Sequence, residues 1–350
     1  MRNKILILGL ILGMGVAVVV DQQQRFEAPA TPWLFPDLLE HLPSVTGIRL
    51  SGAGDGVDLV FDEGAWVVAQ RFNYPVNDKQ LFELLNKLSK ARLIEKKTAL
   101  SKHHATLGLL EDSKDAAPLL VLQGDTALKP VLIGQQASAR QGSFVRFQGD
   151  DQVWLIDQVL EVSRAAEDWL APSLLTINDA LIEQIELSKP GEPRYRVVRA
   201  EDGNWALAEP PEGRALRYDT VLTLLATTVG QLRLVDIALH DPALWVGAGS
   251  AVYHLTSGDR LILKTAMAEG SHWLRILVEA DKVEASDASD ETRQGKAVGS
   301  LRSPTLDQVL GPSPEALARF DFKITKRTFD DLNRSLESFL KPQELVATDG

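Results

Sequence analysis

The sequence predicts an α+β protein of two tandem duplicated modules, each a mostly antiparallel sheet packed with an amphipathic helix, after one N-terminal transmembrane helix. Three observations predict it. Residues 45–95 and 182–236 run through the same order of elements at an offset of about 140 residues, which chance matches of short words do not keep. Short runs between glycine turns alternate apolar and polar residues, the period of half-buried strands. Residues Ile5–Val20 form one unbroken apolar stretch behind Arg2 and Lys4.

Those sixteen residues reach across a bilayer once flanking residues and local thinning are counted. Positive charge on the N-terminal side keeps that end in the cytoplasm and exports the rest. In a bacterium this makes a single-pass inner-membrane protein with a periplasmic body. A cleaved signal peptide is the competing reading, because Gly15-Val16-Ala17 supplies small residues at the cleavage positions. Apolarity that continues through Val18, Val19 and Val20 favours the anchor. The expected boundaries are 1–22 for the anchor, 23–168 and 169–303 for the two modules, and 304–350 for a C-terminal strand and closing helix.

Asp21–Trp33 is a polar, proline-punctuated tether, and Leu34–Pro43 forms a helical turn or two. Val45–Gln70 then reads as a meander whose turns, Gly52–Gly56 and Asp62-Glu63-Gly64, supply positive φ. The following helix starts at an Asn77 cap with Gln80 as box partner and Val76 and Leu81 as staple. Its leucines 81, 84, 85 and 88 share one face. Ala117–Gly134 and Gly142–Asp157 are further hairpins. The second half repeats this order through Ile182–Ser188, Gly203-Asn204-Trp205, a helix on Tyr218–Asp236, and two more hairpins. There Gly258-Asp259 matches Gly124-Asp125, and Trp273-Leu274-Arg275 matches Phe144-Val145-Arg146. The seam falls at Glu167–Asp179, and Glu279–Ser300 has the composition of an exposed loop. The closing helix is expected to use Thr328 and Asp331 as cap pair and to line one face with Phe329, Leu332, Leu336 and Phe339.

A net charge of −11 sets the surface against nucleic acid, and no basic run interleaved with aromatics offsets it. The absence of cysteine removes disulfides, thiolate catalysis, cysteine metal sites and lipoprotein acylation. His103-His104 is the one adjacent histidine pair, but neighbours in a helix or strand point apart and grip one metal poorly. His41, His240, His254 and His272 stand singly. Gly52–Gly56 lacks phosphate-loop spacing and precedes a strand, so it reads as a turn. Gln294-Gly295-Lys296 has no upstream phosphate-loop glycine in register. The acidic pairs Asp62-Glu63, Glu111-Asp112, Asp150-Asp151 and Asp330-Asp331 fall at turns or helix starts, where carboxylates are simply solvated. Trp66 and Trp205 hold equivalent places and are expected as large plugs between strand and helix. No catalytic, cofactor-binding or metal residue is expected.

In order and motif the chain resembles a bacterial domain-of-unknown-function family, number 4340. The resemblance is carried by Ile48-Arg49-Leu50, Gly64-Ala65-Trp66, Pro75 and the Leu81–Leu88 helix, then by Ile185-Glu186-Leu187, Gly203-Asn204-Trp205 and Pro210-Pro211. It implies a membrane-anchored protein associated with ABC-type export systems resembling the gliding-motility transporter, without catalytic residues to carry over. The acidic insertion at Glu279–Ser300 departs from the family pattern. The expected function is therefore a non-enzymatic accessory or scaffold protein of an ABC-type transport assembly. Its expected partners are the inner membrane, through Ile5–Val20, and an ABC-type permease or associated subunit. A periplasmic binding module for peptide, glycan or lipid, using a cleft between modules, is the alternative, and an unrecognised hydrolase the third.

Overall fold

The computed structural model describes residues 31–342 apart from Ala53, Asp55, Asp112, residues 125–127, Ala139 and residues 281–303. The expected anchor Ile5–Val20, the Gln294-Gly295-Lys296 motif and most of the Glu279–Ser300 loop lie outside the described residues. Among those described, no helix is long and apolar enough to cross a membrane. The architecture is mostly antiparallel sheet with few helices, in two compact units: Met1–Trp66 with Asp78–Ala165, and Val67–Asn77 with Ala166–Gly350.

The first unit opens with a short helix, α1 (Leu38–His41), and a 3-10 turn, as the Leu34–Pro43 pattern predicts. Strands β1 (Val45–Ser51), β2 (Gly56–Asp62), β3 (Ala65–Val68) and β4 (Tyr74–Pro75) follow, then helix α2 (Asp78–Lys90) and β5 (Leu93–Lys96). After an irregular stretch come β6 (Leu119–Gly124), β7 (Val131–Gln136), β8 (Ser143–Phe147) and β9 (Val153–Ile156). They form a nine-stranded sheet in the order β4-β3-β2-β1-β6-β7-β8-β9-β5. Alternation sets its faces: Ile48, Leu50, Val57 and Leu59 are buried, while Arg49 points out and pairs with Asp58. Glu63 and Gly64 both take positive φ at the β2–β3 turn. Leu81, Leu84 and Leu88 of α2 are buried, each stabilising by about 1.5–3 kcal/mol. A smaller core joins Leu109 and Ala117 of the irregular stretch to Leu132 and Val153 of the sheet.

The second unit contains β10 (Ser173–Leu175), β11 (Ile182–Ser188), β12 (Tyr195–Arg199), β13 (Trp205–Leu207), helix α3 (Thr223–Thr228), β14 (Leu232–Arg233) and β15 (Asp236–Leu239). It continues through β16 (Gly249–Leu255), the long hairpin β17 (Arg260–Ala268) and β18 (Ser271–Glu279), helices α4 (Pro304–Val309) and α5 (Pro314–Arg319), β19 (Phe320–Ile324) and α6 (Lys326–Leu332). Its eight-stranded sheet has the order β13-β12-β11-β16-β17-β18-β19-β15, and β10 pairs separately with β14. The segment Val67–Asn77, which carries the end of β3 and all of β4, clusters with this unit and not with the first: Phe72 and Tyr74 pack on Phe320, and Arg71 bridges Asp236 and Glu167.

Two helices differ from the expected ones. The helix predicted on Tyr218–Asp236 is only the six residues of α3. The sequence there is rich in threonine and valine, whose branched side chains crowd a helix, and Thr227 and Thr228 both donate back to the Leu224 carbonyl. Gly230 and the strand-forming Leu232-Arg233 then take over. The closing helix starts earlier than expected. Thr325, not Thr328, is the cap, its Oγ1 accepting from the Thr328 amide, and Leu336–Phe339 is a separate 3-10 turn.

Buried phenols give the second unit an alkaline limit. The Tyr253 hydroxyl donates to Leu225 O in α3 and that of Tyr195 to Arg334 O, and burial raises the pKa of both. A raised phenol pKa stabilises the fold fully below the unfolded value of about 10 and loses that contribution as pH rises towards the folded values. The urea midpoint is expected to hold between about pH 7 and 9 and to fall above about pH 10, with a shallower fall in Tyr253→Phe. An unchanged alkaline slope in that variant would refute the assignment.

Candidate functional site

A buried charge of the second unit is made by local sequence choices. In β19, Phe320, Phe322 and Ile324 take one face, so the residue between the phenylalanines, Asp321, must take the other; it is 1% exposed. At residues 240–245, the Asp241 side chain accepts from the Ala243 amide at 2.9 Å and Pro242 fixes the first position of a 3-10 turn. That turn delivers Trp245 to the Asp321 carboxylate. Oδ2 accepts from Trp245 Nε1 (3.1 Å) and from the Asp241 amide (3.0 Å), and Oδ1 accepts from an Arg275 terminal nitrogen (3.0 Å). His240 Nδ1 lies 3.0 Å from Oδ1. Because the ionised carboxylate only accepts, that nitrogen carries the proton.

An aspartate holding an imidazole is also half of a nucleophilic relay. Among the described residues no hydroxyl hydrogen-bonds His240, and four donors already surround Asp321. The arrangement works as a staple. It fixes the turn whose next residues form one wall of a groove of about 500 Å³. Leu244 and Val246–Ala248 make that wall, with Gly247 turning the chain at φ 71°. Thr265, Ala266 and Met267 of β17 make a second wall and Phe329, Asp330 and Asn333 a third. At the floor, Thr265 Oγ1 donates to Asn333 Oδ1 (2.8 Å), and a Cβ on Gly249 would come within 2.8 Å of that same oxygen. Val246 is 85% exposed, the highest of the large apolar side chains described, and Met267 is 67% exposed.

The first unit holds a buried arginine. Arg146, 5% exposed, donates to Asp150 O (2.8 Å) and Leu109 O (3.2 Å), so it ties the irregular stretch to the sheet. Glu111 Oε1 approaches it at 2.7 Å as an ion pair but without the alignment of a hydrogen bond, and Arg146 Nε has no hydrogen-bond partner. The contact is therefore mainly Coulombic.

The residues weighed from sequence are spread apart. His104 is buried with Nε2 3.0 Å from Asp151 O, whereas its neighbour His103 is exposed. His254 meets Glu186 and His272 packs on Phe329. Gly54 turns at φ 95° in the loop, and a Cβ on Gly52 would overlap Arg164. Asp330 pairs with Lys326 and Asp331 with Arg334. Gly258 sits in a hairpin turn as expected, but Gly124 lies in the ladder opposite Val45. The two tryptophans are not alike: Trp205 is buried, whereas Trp66 is half-buried beside the exposed Phe61, because its hairpin ends in solvent. Sequence reasoning named His240 only as a lone histidine and missed Asp321. The available signals were the capped Asp241-Pro242 turn and a charge inside the alternating strand 320–324. Among the described residues no group of three or more His, Cys, Asp or Glu is placed to hold a metal ion.

A family model described as a domain of unknown function (DUF4340) matches residues 66–248, just over half of the chain. The chain belongs to the DUF4340 family. No curated protein and no solved structure matches it. The DUF4340 span starts at Trp66 in β3 and ends at Ala248 in the first wall of the groove. Arg275, Asp321 and Phe329, which complete the staple and the groove, lie beyond it.

Proposed function

We propose that this DUF4340 protein is a non-enzymatic accessory or scaffold subunit of an ABC-type transport assembly, anchored in the inner membrane through Ile5–Val20 with its body in the periplasm. It works by protein contact, and its groove receives the permease or an associated subunit. One observation carries this reading: two of the most exposed large apolar side chains, Val246 and Met267, open on the same groove, whose wall is held by a buried staple. Exposed apolar groups on a fixed scaffold are what a protein partner removes from water. An anchor adds to this by confining the body to the membrane plane, which raises its effective concentration near an embedded partner.

The reading also takes the two units as copies of one module. Strands β3-β2-β1-β6-β7-β8-β9-β5 correspond in order to β13-β12-β11-β16-β17-β18-β19-β15. The register shift at Val45/Gly47 recurs at Ile182/Gln184, displaced by 137 residues in each case (45 to 182, 47 to 184). A bulge is an unpaired extra residue at one point of a ladder, so its recurrence is a more specific likeness than strand order. Arg146 and Arg275 are a third match, the first buried, the second largely covered, and both bonded to groups that order a covering segment.

The test is recovery of partners from membranes in mild detergent. Full-length protein is expected to co-purify with a permease or ATPase subunit. Val246→Asp/Met267→Asp is expected to cut that recovery by about tenfold or more, as loss of a hot-spot pair does, while leaving the melting curve unchanged. Recovery of no transport subunit at normal expression would overturn the reading.

A further inference from the structure

We propose that the helical layer of the first unit rests on the bilayer surface through Trp33, Leu39 and Phe82, with Lys79 and Lys90 among the headgroups. The proposal rests on the reading of Ile5–Val20 as an anchor and adds how the first unit is oriented.

The described chain enters this unit beside the C-terminal end of α2. Leu34 N–H donates to Ala91 O and Leu93 N–H to Pro32 O, both at 2.8 Å, and the Arg92 guanidinium lies 3.8 Å over the Trp33 ring. From there α1 packs on α2. Residues 21–30 separate this entry from the apolar segment, and a chain of that length spans at most about 35 Å. The α1–α2 layer is thus held within a domain's width of the membrane.

That layer carries a concentration of exposed apolar side chains. Trp33 is 40%, Leu39 65% and Phe82 71% exposed. On α2 the buried stripe of Leu81, Leu84 and Leu88 faces inward. Lys79, Phe82, Glu83, Asn86 and Lys90 fall at helical spacing on the other side, with Phe82 flanked by a lysine one turn before and another two turns after. Scattered exposed apolar residues need no explanation. Here they gather where a short tether begins, in the combination that settles at a lipid interface: aromatic rings at headgroup level and lysines reaching to phosphate. The layer carries acids as well, Glu40, Asp78 and Glu83, so Lys79 and Lys90 act as single contacts to headgroup phosphates beside the rings, not as a net positive surface.

The absence of cysteine allows a direct test in the full-length chain. Single variants Leu39→Cys, Phe82→Cys and, as control, Leu100→Cys carry a fluorophore in nanodiscs of phosphatidylethanolamine and phosphatidylglycerol. Leu100 is also exposed in the first unit, at the far end of the run that β5 leads away from α2. Quenchers on the lipid chains are expected to quench the labels at 39 and 82 roughly threefold more than that at 100. Equal quenching at all three sites, with the chain co-floating with the discs, would overturn the proposal and leave the anchor intact. A chain that does not co-float refutes the anchor and this proposal with it. Labels at 39 and 82 shielded from aqueous quencher in native membranes, but not quenched by lipid in discs, would assign the layer to a protein partner and overturn the proposal too.

Discussion

Replacing Asp321 with alanine is expected to destabilise the second unit by about 3–5 kcal/mol, the largest effect of any substitution considered. The cost comes from the groups left behind. Arg275, whose side chain is 12% exposed, keeps only long approaches to Phe320 O (3.5 Å) and Ala318 O (3.4 Å). Trp245 Nε1 and the Asp241 amide lose their acceptor in a dry site, each at about 1–3 kcal/mol. Asp321→Asn retains one acceptor oxygen without the charge and should lose about half as much. Urea unfolding followed by tryptophan fluorescence checks the size of the effect. Amide exchange checks its place, with protection expected to fall first in residues 236–245 and 320–324. A loss below about 1 kcal/mol for Asp321→Ala would show that the staple is solvated.

The second large effect is expected in the first unit. Arg146→Met keeps most of the aliphatic volume but removes the donors to Asp150 O and Leu109 O and the cation opposite Glu111. We expect a loss of about 2–4 kcal/mol. The Glu111→Gln/Arg146→Met double variant should recover part of it, because the glutamate is no longer a charge without its cation. Full additivity of the two substitutions, measured as urea midpoints, would show that the 2.7 Å approach contributes nothing. Leu109 and Ala117 should lose protection together, since Arg146 holds the stretch that buries them.

Legibility in the sequence followed the range of the interaction. The hairpins and the β2–β3 turn follow from alternation and glycine placement, which act within a few residues. The long helix was readable because four leucines and its start signals agree, and α2 begins directly after Asn77. The six-residue α3 was over-read from its apolar spacing, as branched residues and threonine back-bonding are second-order signals beside a leucine stripe. The closing helix slipped by three residues because Thr325 and Thr328 are both acceptable caps and only tertiary packing chooses. The staple brings together residues from 240 to 321, and no local pattern links them. The sequence match of Arg146 to Arg275 came nearest, since it pointed to both arginines without their partners.

Each sheet also completes itself late. Among the described residues strand β5 pairs only with β9, made some sixty residues afterwards, and β15 only with β19, about eighty residues downstream. A chain emerging from its N-terminus therefore carries β15 with both edges unpaired until residue 324 arrives. For that interval Ile237, buried once the sheet is closed, is apolar surface in search of a neighbour. Sheet closure in the second unit is the step at which a newly made chain competes with aggregation, and truncation anywhere before β19 would leave it in that state.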